Sequence, residues 1–387
     1  MSAAIRAVIL GHWGGNIGHE VMAIGVEELV NQAFPGCAVR KIEQHRPLDI
    51  YPQGHFLRGL GFLGHGRGGA WAAPLKNLLN TDFAHRKFWP QADISPDDVA
   101  VACGGPLVTP RMSESDLGLM YQHLHGAYKA RGRAMMNLSV GSCFAYEAAS
   151  PSLSPVETEF LRRVFRLSTA TTVRDRVALE VCRSVGESPA LVPDTGFLAG
   201  HFFRRSADFS APPKIVAINY QARGANEDWG QGIDPGKWAN TLKALIKSLQ
   251  SRNSVVFVCH DKTESALAER LDPTVRRFEP KTAEEYASFA PQVKVAVCNR
   301  LHAAIALAGT GVPVIGVGTD SRLKTLEQVG LPTLYAKTVT AAELEAKVEE
   351  LAGRFDAERA RLLDVHAATM RTYVDLLRTT AAERRPQ

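Results

Sequence analysis

Along this chain, short unbroken apolar runs alternate with longer stretches in which apolar residues recur every three or four positions. "IRAVILG", closed by glycine, is a run of the first kind, and "VMAIGVEELVNQAF" after it is of the second. A short apolar run bounded by turn residues predicts a strand buried on both faces, and the wider spacing predicts a helix. "DVAVACGGPL", "RAMMNLSVGS", "TATTVRD" and "ESPALVPDTGF" predict further strands or strand ends. A polar, proline-containing stretch, "RRSADFSAPPK" at 204–214, interrupts the alternation, which then starts again. "IVAINY", "NSVVFVCHD", "VKVAVCN" and "VPVIGV" read as strands. "GKWANTLKALIKSLQ", "KTESALAERL", "RLHAAIALAGT" and the short "SRLKTLEQVG" read as helices. Such alternation predicts an α/β fold with parallel, doubly wound sheets. Two Rossmann-like domains are expected, at 1–207 and 208–340. From 341 to 387 the apolar residues Leu344, Val348, Leu351, Phe355, Leu362, Met370, Tyr373 and Leu377 keep helical spacing, so C-terminal helices are expected to pack across both domains. The Gly-, His- and aromatic-rich stretch at 45–74 is too long for a routine connection; it is either a lid or substrate loop, or a simple insertion.

Composition narrows the class of partner. With 387 residues, 45% of them hydrophobic, there is apolar material for two cores. The net charge of +5 is dispersed rather than clustered, which suits a small anionic ligand better than nucleic acid. None of the six cysteines forms a CxxC pair, which points to free thiols in a reducing compartment. The N-terminal apolar run is too short for a signal peptide, and no stretch reaches a membrane-spanning length. A cytoplasmic protein is expected, and homo-oligomerisation is left open. The spacings of His12 with His19 and of His123 with His125 make no metal pattern, so no metal is expected.

In open parallel sheets, ligands bind beyond the carboxyl ends of the strands. In the first half the residues there are Gly14 to Gly18, Gly104, Gly105, Gly141, Ser142, Arg174, Asp175 and Asp194. In the second half they are Tyr220, Gln221, His260, Asp261, Arg300, His302, Thr319 and Asp320. Two such rims face to face would form an interdomain cleft. Asn299 is placed to cap the helix after "VKVAVC", with Arg300, Leu301 and His302 in its first turn. A helix N-terminus beside an Arg and a His makes a pocket for phosphate or carboxylate. Alternatively, Arg300 pairs with a structural carboxylate and His302 is a core residue.

The segment "NRLHAAIALAGTGVPVIGVGTDSRLKTLEQVGL" resembles the C-terminal signature of the polysaccharide pyruvyl transferase family. Its positions are Arg300, Leu301, His302, Gly311, Pro313, Ile315, Asp320 and Lys324. "GGNIGHEVM", "ACGGPL", "TTVRDRVALEVCRSVG" and "VPDTGF" are similar to the family's other blocks, in the same order. The resemblance implies a GT-B-like fold and transfer of a pyruvyl group from phosphoenolpyruvate to a sugar or glycan, often as a cyclic ketal. No cofactor is then needed beyond that co-substrate. It implies a donor site of Arg300, Leu301, His302, Lys324 and His260, and an acceptor or anion loop of Gly14, Gly15, Asn16, Gly18, His19, Gly104 and Gly105. His302 contacts phosphate or moves a proton to it. Arg174 orients a hydroxyl or belongs to a helix cap, and Asp194 is a general base or a turn residue. The family usually has Asp where this chain has His19, which changes what the rim can bind. Two other readings stand beside this one. A nucleotide-sugar glycosyltransferase is disfavoured because the helix after Arg300 has no Glu to hold a ribose. The other is a non-catalytic relative that binds an anionic metabolite.

Overall fold

The computed structural model describes residues 5–13, 17–43, 46–59, 81–95, 97–133, 135–148, 151–225 and 229–383. Gly14, Gly15, Asn16 and most of the stretch at 45–74 lie outside the described residues.

The first sheet contains β1 (Arg6–Gly11), β2 (Ala38–Glu43), β3 (Asp98–Ala102), β4 (Met135–Val140), β5 (Ser168–Val173) and β6 (Ala190–Leu191). Its order is β2-β1-β3-β4-β5-β6, all parallel. The second contains β7 (Ile215–Asn219), β8 (Ser254–Val258), β9 (Arg276–Phe278), β10 (Val293–Cys298), β11 (Val314–Gly318) and β12 (Thr333–Tyr335). Its order is β12-β11-β10-β7-β8-β9, also all parallel. The expected architecture of two doubly wound sheets is present. The central strands β3, β7 and β11 are buried throughout, as strands covered by helices on both faces must be.

The linker is shorter than the composition suggested. Arg204 and Ser206 complete the helix Gly200–Ser206, and Arg204 donates to the Gly309 carbonyl. Burial pushes the Arg204 guanidinium down to about 10. Only from Asp208 does the chain become a largely exposed strap leading into β7. The first part of the 45–74 stretch is packed rather than loose: Leu48, Ile50, Tyr51 and Leu57 lie in the core beside the first sheet.

Two C-terminal helices follow β12, Ala341–Gly353 and Phe355–Ala382. The first covers the second sheet through Leu344, Val348 and Leu351. The longer one crosses both halves, burying Leu362 in a core of the second and Tyr373 and Leu377 in a core of the first. The Tyr373 hydroxyl donates to the Pro193 carbonyl at 2.9 Å. The halves also meet directly. Ser321 N donates to the Phe144 carbonyl, Ser142 Oγ lies 2.7 Å from Ser321 Oγ, and the rings of Tyr146 and Tyr335 stack at 5.0 Å.

Candidate functional site

Each sheet reverses its winding direction once. In the first this happens between β1 and β3, in the second between β7 and β10. A crevice opens beyond the strand ends at such a switch point. Here the two crevices face each other and form one cleft of about 1000 Å³, part of it open to solvent. His12 enters it from the end of β1, Gly104 and Gly105 from β3, Arg174 from β5 and Gln221 from β7. Arg300, Leu301 and His302 enter after β10, Asp320 and Arg322 after β11, and His19 from the first helix, Ile17–Ala33.

Arg300 meets both descriptions given of it. Its Nε donates to Glu264 Oε1 at 2.6 Å and its Nη2 to Asp261 Oδ2 at 2.9 Å, yet it lines the cleft. Glu264 is buried and also accepts from Asn219 Nδ2 and the His260 backbone N–H. Asn299 is not the helix cap. Its Oδ1 accepts from Gln221 N and Trp238 Nε1 and its Nδ2 donates to the Val317 carbonyl, so it ties together the ends of β7, β10 and β11. Arg300 itself occupies the N-cap position of Leu301–Gly309, and its N–H is received by Asn219 Oδ1 at 2.8 Å. Leu301 gives the cleft an apolar wall.

Asp194 takes the turn role and is not among the residues that line the cleft. It is fully buried, its Oδ2 accepts from Arg174 Nη1 at 2.7 Å, and its Oδ1 accepts from Gly196 N at 2.6 Å. It is the counter-ion that lets Arg174, itself only 1% exposed, lie beneath the cleft. Gly141 makes the room, because any side chain there would overlap the Arg174 guanidinium. The helix cap belongs to Asp175 alone, through Ala178 N at 2.7 Å.

Two donor-site expectations are corrected. Lys324 does not line the cleft; its Nζ sits 5.1 Å over the ring of Tyr146, at the seam between the halves. His260 lies behind the cleft wall rather than on it, with its ring against Tyr286 and no hydrogen-bond partner at either nitrogen. Burial, then the nearby Arg300 and His19, push its imidazole down to about 3. Gly18 is buried in the first turn of its helix rather than offered to a ligand. Gly104 is there for packing, since a Cβ would run into the Ser139 and Leu138 carbonyls. Ser139 takes a left-handed φ of 64° at that approach. Gly105 faces open space.

Three contributors were missed. Arg322 donates from Nε and Nη2 to Asp320 at 2.9 and 2.6 Å. His12 Nδ1 lies 2.9 Å from Glu43 Oε1. His12 and Glu43 each stand at a strand end, which was the available signal. The rings of His12, His19 and His302 run in file, with centroids 5.1 and 5.6 Å apart. Burial, with His19, Arg174, Arg300 and Arg322 around it, holds the His302 imidazole well below its usual range. Among the described residues no cluster could hold a metal ion. Three guanidiniums, each oriented by a carboxylate, and three imidazoles thus converge on one cleft. That is the chemistry of a site for a small polyanion.

Most of the chain superposes on solved structures of the same architecture. The UDP-GlcNAc 2-epimerase of Neisseria meningitidis bound to UDP-GlcNAc gives a TM-score of 0.54 at 11% identity, covering 98% of this chain and 100% of that one. The S. aureus MnaA–UDP structure gives 0.52 at 12% identity, covering 94% and 92%. At these identities the likeness shows the fold alone, and with the cleft at both switch points that fold is GT-B-like. The chain belongs to the polysaccharide pyruvyl transferase family, whose model matches residues 16–321. It is thus a transferase of polysaccharide modification. No curated protein matches the sequence significantly. Among the described residues, no helix is long and apolar enough to cross a membrane.

Proposed function

We propose that this protein transfers the pyruvyl group of phosphoenolpyruvate to hydroxyls of a sugar or glycan acceptor, forming a ketal and releasing phosphate. The convergence of Arg174, Arg300 and Arg322 with His19 and His302 on one cleft carries this reading. Phosphoenolpyruvate has an anionic group at each end, and separate guanidiniums can engage both. Family membership supports the reaction type. The donor itself is the only co-substrate needed.

In this reading Arg300 and Arg322 hold the phosphate and carboxylate, and Arg174 supplies positive charge from below. Leu301 and Met22 give the methylene an apolar wall. Binding places anionic oxygens beside His302, which raises its affinity for a proton. A protonated His302 then donates to the departing phosphate.

Ligand-dependent melting tests the donor. A ligand that binds only the folded state stabilises it by about 2.7 kcal/mol at a hundredfold excess over Kd. Phosphoenolpyruvate should raise the melting temperature of the wild type but not of Arg322→Ala, whose guanidinium is 24% exposed against 11% for Arg300, although its partner Asp320 is buried. Uridine diphosphate should have a smaller effect. Strong stabilisation by uridine diphosphate alone would replace pyruvyl transfer with nucleotide-sugar chemistry.

A further inference from the structure

With Asp194 engaged by Arg174 and Gly196, the reaction still requires a group to take protons from the acceptor. We propose, resting on the pyruvyl-transfer reading, that His12 is the general base of the cleft, that Glu43 positions it, and that His19 passes its proton toward His302. His12 precedes the residues matched by the family model, and His19 stands where the family usually has Asp, so the assignment comes from this chain's own geometry.

The pair is built by the sheet. β1 and β2 run in register with Gly11 opposite Glu43, so the next residue on β1, His12, meets Glu43 at the strand ends. Glu43 Oε1 lies 2.9 Å from His12 Nδ1, and Oε2 accepts from Trp13 N at 2.8 Å. Both carboxylate oxygens are therefore anchored. An ionised carboxylate only accepts, so Nδ1 carries the hydrogen and the basic lone pair of the ring is on Nε2. A carboxylate that fixes an imidazole's tautomer in this way is the device that orients the base in serine hydrolases. Lys41, 4.2 Å over the Trp13 ring, pairs with Glu27 at 2.8 Å. On the cleft side His12 faces His19, with Arg174, Arg300 and Arg322 beyond.

Proton accounting gives the file its purpose. The first acceptor hydroxyl attacks C2 of phosphoenolpyruvate and gives its proton to His12, while the C2–C3 π pair takes a proton at C3. The C2–O bond to phosphate then breaks, and its electron pair leaves with the phosphate. A second hydroxyl closes the ketal and releases its own proton. Two protons leave the acceptor, and two are consumed, one on C3 and one on phosphate. A line of imidazoles at 5.1 and 5.6 Å between the two sides can carry them with small ring movements.

The test uses the full chain with phosphoenolpyruvate and a panel of methyl glycosides, read by phosphate release. Glu43→Gln and His12→Gln should each lower kcat by about 10²–10⁴-fold, with the KM for phosphoenolpyruvate within about threefold of wild type. The double variant should be no slower than His12→Gln, because the two residues act as a unit. Glu43→Asp should recover part of the rate. Wild-type kcat in Glu43→Gln overturns the proposal, as does a loss confined to KM. If the wild type releases no phosphate with any glycoside, the donor reading falls, and ¹⁵N-histidine spectra decide the base separately. An Nδ1–H form of His12 that is lost in Glu43→Gln keeps it as a base for another donor. A tautomer mixture already present in the wild type removes it. Should Glu43→Gln fail to fold, Glu43→Asp and the wild-type spectrum still decide.

Discussion

Arg300 is held in place before any ligand arrives. Its partner Glu264 is buried, and a buried carboxylate without its cation costs about 3–5 kcal/mol. Arg300→Ala should therefore lose stability as well as ligand binding, and activity alone would not separate the two. The double variant Arg300→Ala/Glu264→Ala should regain much of the stability in urea unfolding while still failing to respond to phosphoenolpyruvate. If the double variant binds the donor, Arg300 is a structural cation only. Strand-end logic located Arg300, His302 and Arg174 from the sequence, because that logic depends only on where each apolar run stops; His19 came from the family resemblance. It did not reveal that Arg300 pairs with Glu264, since the meeting depends on β8 and β10 flanking β7. The turn role of Asp194 was one of its two readings, but its pairing with Arg174 was not foreseen, for a related reason. A carboxylate just past a strand looks the same in sequence whether it points into the cleft or beneath it.

Among the elements, the buried central strands announced themselves as apolar runs, while β2, β9 and β12 did not. Those three are edge strands, half in solvent, and "AVRKIE", "RRF" and "TLY" carry no continuous apolar signal. Missing β2 also meant missing Glu43, its last residue. The turn after β3 shows how adjacent glycines take different roles. A methyl at Gly104 would overlap the Ser139 and Leu138 carbonyls of β4, whereas one at Gly105 would project into open space. Gly104→Ala should destabilise by about 1–3 kcal/mol, the range for overpacking a tight contact. Gly105→Ala should leave stability within about 0.5 kcal/mol and weaken phosphoenolpyruvate binding, because the added methyl sits on the cleft wall. Paired denaturant curves and melting shifts check this, and equal destabilisation by both substitutions would contradict the division.

The whole molecule is two sheets locked at a seam and strapped by one long helix, and its protonation should couple folding to ligand binding. Burial pushes the imidazoles of His125, His260 and His366 down to about 3, and holds His302 well below its usual range. Unfolded, each would titrate near 6.5. Below that pH the unfolded chain binds protons that the folded chain refuses, so folding stability falls as pH drops from about 6.5 toward 3. Each such imidazole contributes roughly 1.4 kcal/mol per pH unit in that window. Urea midpoints should therefore be clearly lower at pH 5.5 than at pH 7.5. His302 differs from the other three because it lines the cleft. An anion in the cleft raises its proton affinity, so binding takes up protons and tightens on acidification while free phosphoenolpyruvate keeps its charge. The melting shift caused by phosphoenolpyruvate should accordingly grow from pH 8 to pH 6.5, as the free protein becomes no more stable. Calorimetry in buffers of different ionisation enthalpy should show net proton uptake on binding, and His302→Gln should reduce it. Proton release, or uptake unchanged in His302→Gln, would mean that the donor's anionic groups are neutralised elsewhere in the cleft and that His302 is not its proton source.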